Sequence, residues 1–72
     1  MRLEEFIIGP TSPLAGQTLR QAKLKVAVLA VLHPDQPLLT HPNADTRLLP
    51  GAAMIVMGVE QELNRLAEMV RD

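Results

Sequence analysis

Cysteine is absent from this sequence, which excludes disulfide staples, thiolate metal centres and cysteine nucleophiles and fits a reducing, cytosolic setting. Aromatic residues are nearly absent as well. One Phe with no Tyr or Trp makes the core aliphatic and removes the stacking platforms used for single-stranded nucleic acid. No charge of one sign dominates: seven basic residues are scattered among eight acidic ones for a net charge of −1, which gives no electrostatic footprint for a phosphate backbone. Nucleic acid is therefore not an expected partner. No apolar run reaches the roughly 20 residues of a membrane-spanning helix, so direct membrane insertion is not expected either. The opening residues, Met1-Arg2-Leu3-Glu4-Glu5, are acidic ahead of any apolar run and do not have the make-up of a secretory leader.

What is present is a chain of 72 residues, 47% hydrophobic and 21% charged. That is too apolar for a disordered tail, and close to the size at which one core gives only marginal stability without a staple or a partner. One folded domain over residues 1–72 is expected. Its longest apolar run is Val26-Ala27-Val28-Leu29-Ala30-Val31-Leu32. Rich in β-branched Val and without polar alternation, it reads as a central strand that must be covered on both faces.

Ahead of that run, Leu3-Glu4-Glu5-Phe6-Ile7-Ile8 stops at Gly9-Pro10 and reads as a first strand, with Phe6 and Ile8 on one face and Ile7 on the other. Thr11-Ser12-Pro13-Leu14-Ala15-Gly16 is a loop by its Pro and Gly content, with Leu14 anchoring it to the core. Thr18, followed three positions later by Gln21, has the spacing of a capping box. A short helix should start there and run to about Lys25, with Leu19, Ala22 and Leu24 inward. After Leu32, His33-Pro34-Asp35-Gln36-Pro37 is a turn, and Leu38-Leu39-Thr40 a brief strand hairpin-paired with the central one. His41-Pro42-Asn43-Ala44-Asp45-Thr46 is a second loop. Ala52-Ala53-Met54-Ile55-Val56-Met57 should be another buried strand, ended by Gly58. Val59, Leu63, Leu66, Ala67 and Val70 then recur at helical spacing, with Glu60 and Glu62 in the first turn and Arg71 in the last, the charge order the helix dipole prefers.

The β-α-β-β-β-α order points to an α+β fold, a small, mostly antiparallel four-stranded sheet with two helices on one side. Two short helices cover about one face of such a sheet. The apolar residues left over on the other face predict a partner surface, most simply a homodimer.

Several side-chain groupings could carry chemistry, and each has a plainer explanation. His33 and His41 with Asp35 and Asp45 are donors suited to zinc or nickel, but their spacing matches no metal motif, and exposed loop residues beside prolines account for them. Glu4, Glu5, Glu60 and Glu62 could meet as a hard-cation site. No ligand-rich loop supplies the oxygens calcium takes, so solvated carboxylates account for them. Met54, Met57 and Met69 fill a core more readily than they form an adaptable binding face. Ser12 and the threonines lack a base and an orienting acid at any motif spacing. No catalytic residue, no metal site and no enzymatic activity are expected.

Taken together, Ser12-Pro13-Leu14-Ala15-Gly16-Gln17-Thr18-Leu19, the aliphatic strand, Pro42-Asn43-Ala44-Asp45-Thr46-Arg47-Leu48-Leu49-Pro50-Gly51 and a last strand ending in Gly58 resemble the TrkA-C domain, the C-terminal lobe of RCK (regulator of K+ conductance) proteins, over residues from about 3 to 70. The resemblance implies an RCK C-terminal-lobe-like fold and a cytoplasmic regulatory module, dimeric through its sheet region and held at the inner face of the membrane by a parent transporter. Its implied partners are a second copy, an N-terminal RCK lobe, and potassium channels, potassium uptake systems, cation/proton antiporters or other carriers. In some members the dimer interface takes a small regulatory ligand, cyclic di-AMP or another nucleotide, or a divalent cation. Carried onto this chain, that pocket would be lined by Val28, Leu29 and Val31, with His33 at the basic position after the strand and Pro34 beside it.

Two departures bear on the transfer. The family commonly has Asp after the Pro-Gly pair, where this chain has Ala52. His33 is an imidazole rather than a permanent cation, so a phosphate-bearing ligand loses its most obvious counter-charge. The Gly-rich fingerprint expected of the nucleotide-binding N-terminal RCK lobe does not occur, which leaves an excised lobe of a larger protein or a stand-alone subunit. Two functions follow from the resemblance: a ligand-sensing, dimerising lobe that regulates a potassium or other cation channel or transporter, or a structural assembly module of a carrier that senses nothing.

Overall fold

Thr18 shows how far local sequence sets local structure. In the computed structural model, which describes residues 1–71, the Thr18 hydroxyl accepts from the Gln21 amide at 3.2 Å and the Gln21 side chain accepts from the Thr18 amide at 2.9 Å. This is the reciprocal capping box that the spacing predicts. Helix α1 (Leu19–Ala22) is nonetheless a single turn. It stops short of Lys25 because Lys23 enters the left-handed region at φ 51 and ends the helix there. Leu19, Ala22 and Leu24 pack against the core as expected.

The elements are β1 (Arg2–Ile7), α1, β2 (Ala27–Leu32), β3 (Leu39–Thr40), β4 (Ala53–Gly58) and α2 (Glu60–Met69). The four strands form one antiparallel sheet in the order β1-β4-β2-β3, and the architecture is the expected α+β one. β2 is an interior strand, as expected, and shares the middle of the sheet with β4. β4 is paired along its length on both sides, whereas β2 has β3 beside it only at Ala30 and Val31. Pro37 and Pro42 bracket β3, and proline cannot donate to a ladder, so that pairing stays short.

The apolar run of β2 offers no alternation from which a register could be chosen. A β-bulge supplies the choice. Val28 pairs with Val56 and Ala30 with Ile55, leaving Leu29 as the extra residue. The insertion brings Val28 and Val31, three positions apart, to the side occupied by Val56 and Met54. There the core forms from Ile8, Leu14, Val31, Leu48, Met54 and Val56 against Leu63, Leu66 and Val70.

Helix α2 presents Leu63 and Leu66 to that core. Its ends depart from expectation in two ways. Val59 is the N-cap and is 49% exposed, so the buried stripe begins a turn later, at Leu63. Arg71 lies beyond the last helical residue and pairs with Glu68. The end of α2 is instead tied down by backbone and a single hydroxyl: the Gly9 amide donates to the Val70 carbonyl at 2.9 Å, and Ser12 Oγ donates to the Met69 carbonyl at 2.6 Å while accepting from the Leu14 amide at 3.1 Å. Buried Ser12 is thereby satisfied in a turn role. At the far end of the sheet, a Cβ on Gly58 would lie 2.7 Å from Val26 Cγ1, so β2 and β4 close together only because the residue is glycine.

Candidate functional site

Because side chains alternate along a strand, the residues between the core positions form a second face. Register sorts them into three cross-strand rows: Leu3, Met57 and Ala27; Glu5, Ile55 and Ala30; Ile7, Ala53 and Leu32. Eight of these nine positions are apolar, and no element among the described residues packs over them. Leu3 is 60% exposed, Ile7 56%, Leu32 44% and Met57 37%. The surplus apolar surface anticipated from composition is therefore real and lies on the sheet face opposite α2.

At the loop end of this face lies a shallow, open concavity of about 450 Å³. Ile7, Leu32 and Ala53 form its sheet wall; His33, Pro34, Asp35 and Gly51 form the loop wall, with Glu5 and Gln36 at the rim. Gly51, at φ 84, is in the left-handed region, and a Cβ there would stand 3.5 Å from Pro34 Cγ. The two turns that frame the concavity therefore meet at a glycine. His33 Nε2 lies 2.9 Å from the Arg47 carbonyl. A carbonyl only accepts, so the ring donates from Nε2, is held by the neighbouring loop, and keeps Nδ1 for another partner. The Arg47 guanidinium in turn donates to the Gly16 carbonyl, linking three loops.

The five expected ligand residues do not share one surface. His33 and Pro34 line the concavity, and Leu29 stands out on the bulge, 40% exposed. Val31 is completely buried in the core and Val28 packs against the same core. The three do not gather at the concavity: the bulge sets Val31 wholly inside the core, while Val28 stays partly open and lines a separate groove with Leu24 and Val26. The residues that replace them, Ile7, Leu32 and Ala53, carried a readable signal, since alternation along the first strand already set Ile7 opposite Phe6 and Ile8. Asp35 and Gly51 reach the concavity by long-range folding of two turns and carried none.

The other groupings resolve simply. Arg2 bridges Glu4 at 2.8 Å and Glu60 at 3.2 Å, so the first strand and last helix meet through a guanidinium. Among the described residues, no three His, Asp or Glu side chains come together as a metal would require. Met54 is fully buried and Met69 packs on the core, but Met57 belongs to the bare face. Ala52, where the family commonly has Asp, is fully buried; its amide donates to the Leu49 carbonyl at 3.0 Å and its carbonyl accepts from the Ile8 amide at 2.9 Å. Backbone bonds close that turn without a carboxylate.

An antiparallel four-stranded sheet with both helices on one face and the other face apolar and bare defines a class of small α+β lobe. The TrkA-C domain profile matches residues 3–71, and the chain belongs to that family. Among solved structures it is similar to the RCK_C domain dimer of S. agalactiae BusR in complex with c-di-AMP, at 15% identity over 97% of this chain and 96% of that one, with a TM-score of 0.84. It is also similar to the KtrA RCK C domain in complex with cyclic diadenosine monophosphate (23% identity, 92% and 79% coverage, TM-score 0.73). The GsuK channel matches at 23% identity over 97% of this chain but only 13% of the channel chain, with a TM-score of 0.78. S. agalactiae BusR in complex with its busAB-promotor DNA is matched over 35% of its chain. At these identities the likeness shows the fold; the BusR RCK_C domain is matched over nearly its whole length, whereas the GsuK and full BusR chains are matched only in part. No curated protein matches at a significant level. No helix among the described residues is long and apolar enough to cross a membrane.

Proposed function

We propose that this chain is a cytoplasmic regulatory lobe that dimerises through its bare sheet face and senses a small ligand at that seam, controlling a potassium or other cation channel or transporter. The observation that carries the reading is the uncovered face itself, with its rows built on Leu3, Ile7, Ile55, Met57 and Leu32. A second copy would cover it by two-fold pairing, removing roughly 25 cal/mol of cost for each Å² of apolar surface taken from water. The concavity has the size of a small-molecule site, about 300–1,000 Å³, but is open to solvent. A copy facing it across the seam would supply the missing wall, which makes ligand binding and dimerisation one event. Channel and transporter context is supported by the family and by the likeness to KtrA and GsuK. The similarity to BusR extends the candidate contexts to a DNA-binding regulator, in which this lobe, with its net charge of −1, would serve as the sensor.

The same geometry favours a second reading, assembly without a ligand, on one observation. The charged groups at the concavity are Glu5 and Asp35 against His33, a rim that repels phosphate unless a divalent cation or a partner group intervenes. Light scattering and a thermal-shift panel separate the readings. A ligand-sensing lobe is a dimer whose melting temperature rises with cyclic di-AMP, an adenine nucleotide, Ca2+ or Mg2+, because a ligand bound only to the folded state stabilises it by mass action. A dimer that none of these shifts at millimolar concentration is an assembly module. A clean monomer at high micromolar concentration sinks both.

A further inference from the structure

The concavity at the loop end of the bare face has a one-sided chemistry. Two carboxylates stand at it, Glu5 on β1 and Asp35 in the turn after β2, and no lysine or arginine does. Both acids are exposed, and neither enters an ion pair among the described residues. His33 adds a third acceptor. With its Nε2 proton given to the Arg47 carbonyl at 2.9 Å, the ring has only the Nδ1 lone pair left for another partner. The floor is apolar: the row Ile7, Ala53 and Leu32 runs from β1 across β4 to β2, two strand spacings or about 10 Å. Glu5 lies on β1 two residues from Ile7, and the turn that holds Asp35 leaves β2 just past Leu32. The acids therefore belong to opposite ends of an apolar row.

This arrangement selects among ligands. A phosphate group would meet acceptors and no permanent cation. A bare metal ion would leave the apolar row unused, and among the described residues no three His, Asp or Glu side chains come together to hold one. An organic cation uses both features, because its methylenes cover the row while its N–H groups meet the acceptors. Two separated carboxylates call for two positive charges. Building on the reading of this concavity as a ligand site, we propose that it takes an aliphatic diamine, with one ammonium at Glu5, the other shared by Asp35 and His33, and the chain laid over Ile7, Ala53 and Leu32. The volume of about 450 Å³ is ample for such a molecule.

The test titrates the ¹⁵N-labelled chain with cadaverine to millimolar concentration at constant ionic strength, beside n-pentylamine, pentanediol and Mg2+. Cadaverine should shift the amides of Glu5, Ile7, Leu32, Asp35, Gly51 and Ala53. Pentylamine, with one charge, should bind about fivefold more weakly, since each exposed ion pair contributes modestly, and pentanediol should shift nothing. The chain carrying Glu5→Gln with Asp35→Asn should lose the cadaverine response. Asn tolerates the left-handed backbone at position 35, where φ is 60, and unchanged amide positions elsewhere show that the variant folds. Absence of shifts, equal shifts from pentanediol or Mg2+, or a variant that responds like the parent chain would each overturn the proposal. Sedimentation of the same samples separates this site from the dimer seam. Cadaverine shifts at these residues in a clean monomer uphold the diamine site and remove the seam, whereas a dimer without them keeps the seam and overturns the diamine site.

Discussion

Val56 and Ile55 are neighbours on β4, similar in size and in aversion to water, yet Val56 is completely buried under α2 while Ile55 sits on the uncovered face. The same split runs through every strand of the sheet's main part: Phe6 against Ile7, Met54 against Ala53, Val31 against Leu32. The two faces barely differ in composition. They differ in having a helix over one and nothing over the other, which shows that apolar content alone does not identify a core in so small a domain. One α2 of ten residues provides cover for one face, and the surplus becomes an interface.

That contrast is open to direct attack. Met54→Ala should be the most damaging change, costing about 2–5 kcal/mol for a fully buried side chain, as read by urea denaturation; a cost below about 1 kcal/mol would mean that the helix-covered face is not the core. Gly58→Ala should cost about 1–3 kcal/mol by forcing Cβ against stiff, β-branched Val26. The companion change Val26→Ala, made together with it, should recover part of the loss. Thr18→Ala removes the hydroxyl of the capping box and should cost about 1 kcal/mol, with amide exchange rising in residues 19–22 and little elsewhere. Ile7→Ser, on the bare face, should leave monomer stability within about 0.5 kcal/mol but weaken self-association at least tenfold in sedimentation equilibrium. Equal dimerisation of this variant and the parent chain would move the seam elsewhere. Smallest of all, Arg2→Ala breaks two exposed pairs and should change stability by less than about 0.5 kcal/mol, an effect that salt erases.

Much of the fold was legible because the signals were local. Thr18 and Gln21 marked the start of α1, Gly9 and Pro10 the end of β1, and Leu63, Leu66 and Val70 the buried stripe of α2. Phe6 and Ile8 against Ile7 even announced the two faces of the first strand. The candidate site was less legible. The family pocket was transferred onto Val28, Leu29 and Val31, but a one-residue bulge at Leu29 puts Val28 and Val31 on the same side of the sheet, with Val31 fully buried. His33 and Pro34 did reach the concavity, since they follow the strand directly and the turn carries them past its edge. Glu5, Asp35 and Gly51 joined them through pairing of distant segments.

Residue order alone determined the element types, the aliphatic core and the presence of more apolar surface than two short helices cover. These follow from spacing, caps, turn residues and volume, each of which acts within a few positions along the chain. Only the tertiary structure decided which of the six apolar residues of β2 face inward and that β4 lies between β1 and β2. Only it brought Glu5 and Asp35 to one concavity. An unalternating strand accepts either register at similar local cost, so the choice falls to the packing of α2 and the pairing with β4, interactions that exist only once the chain has folded.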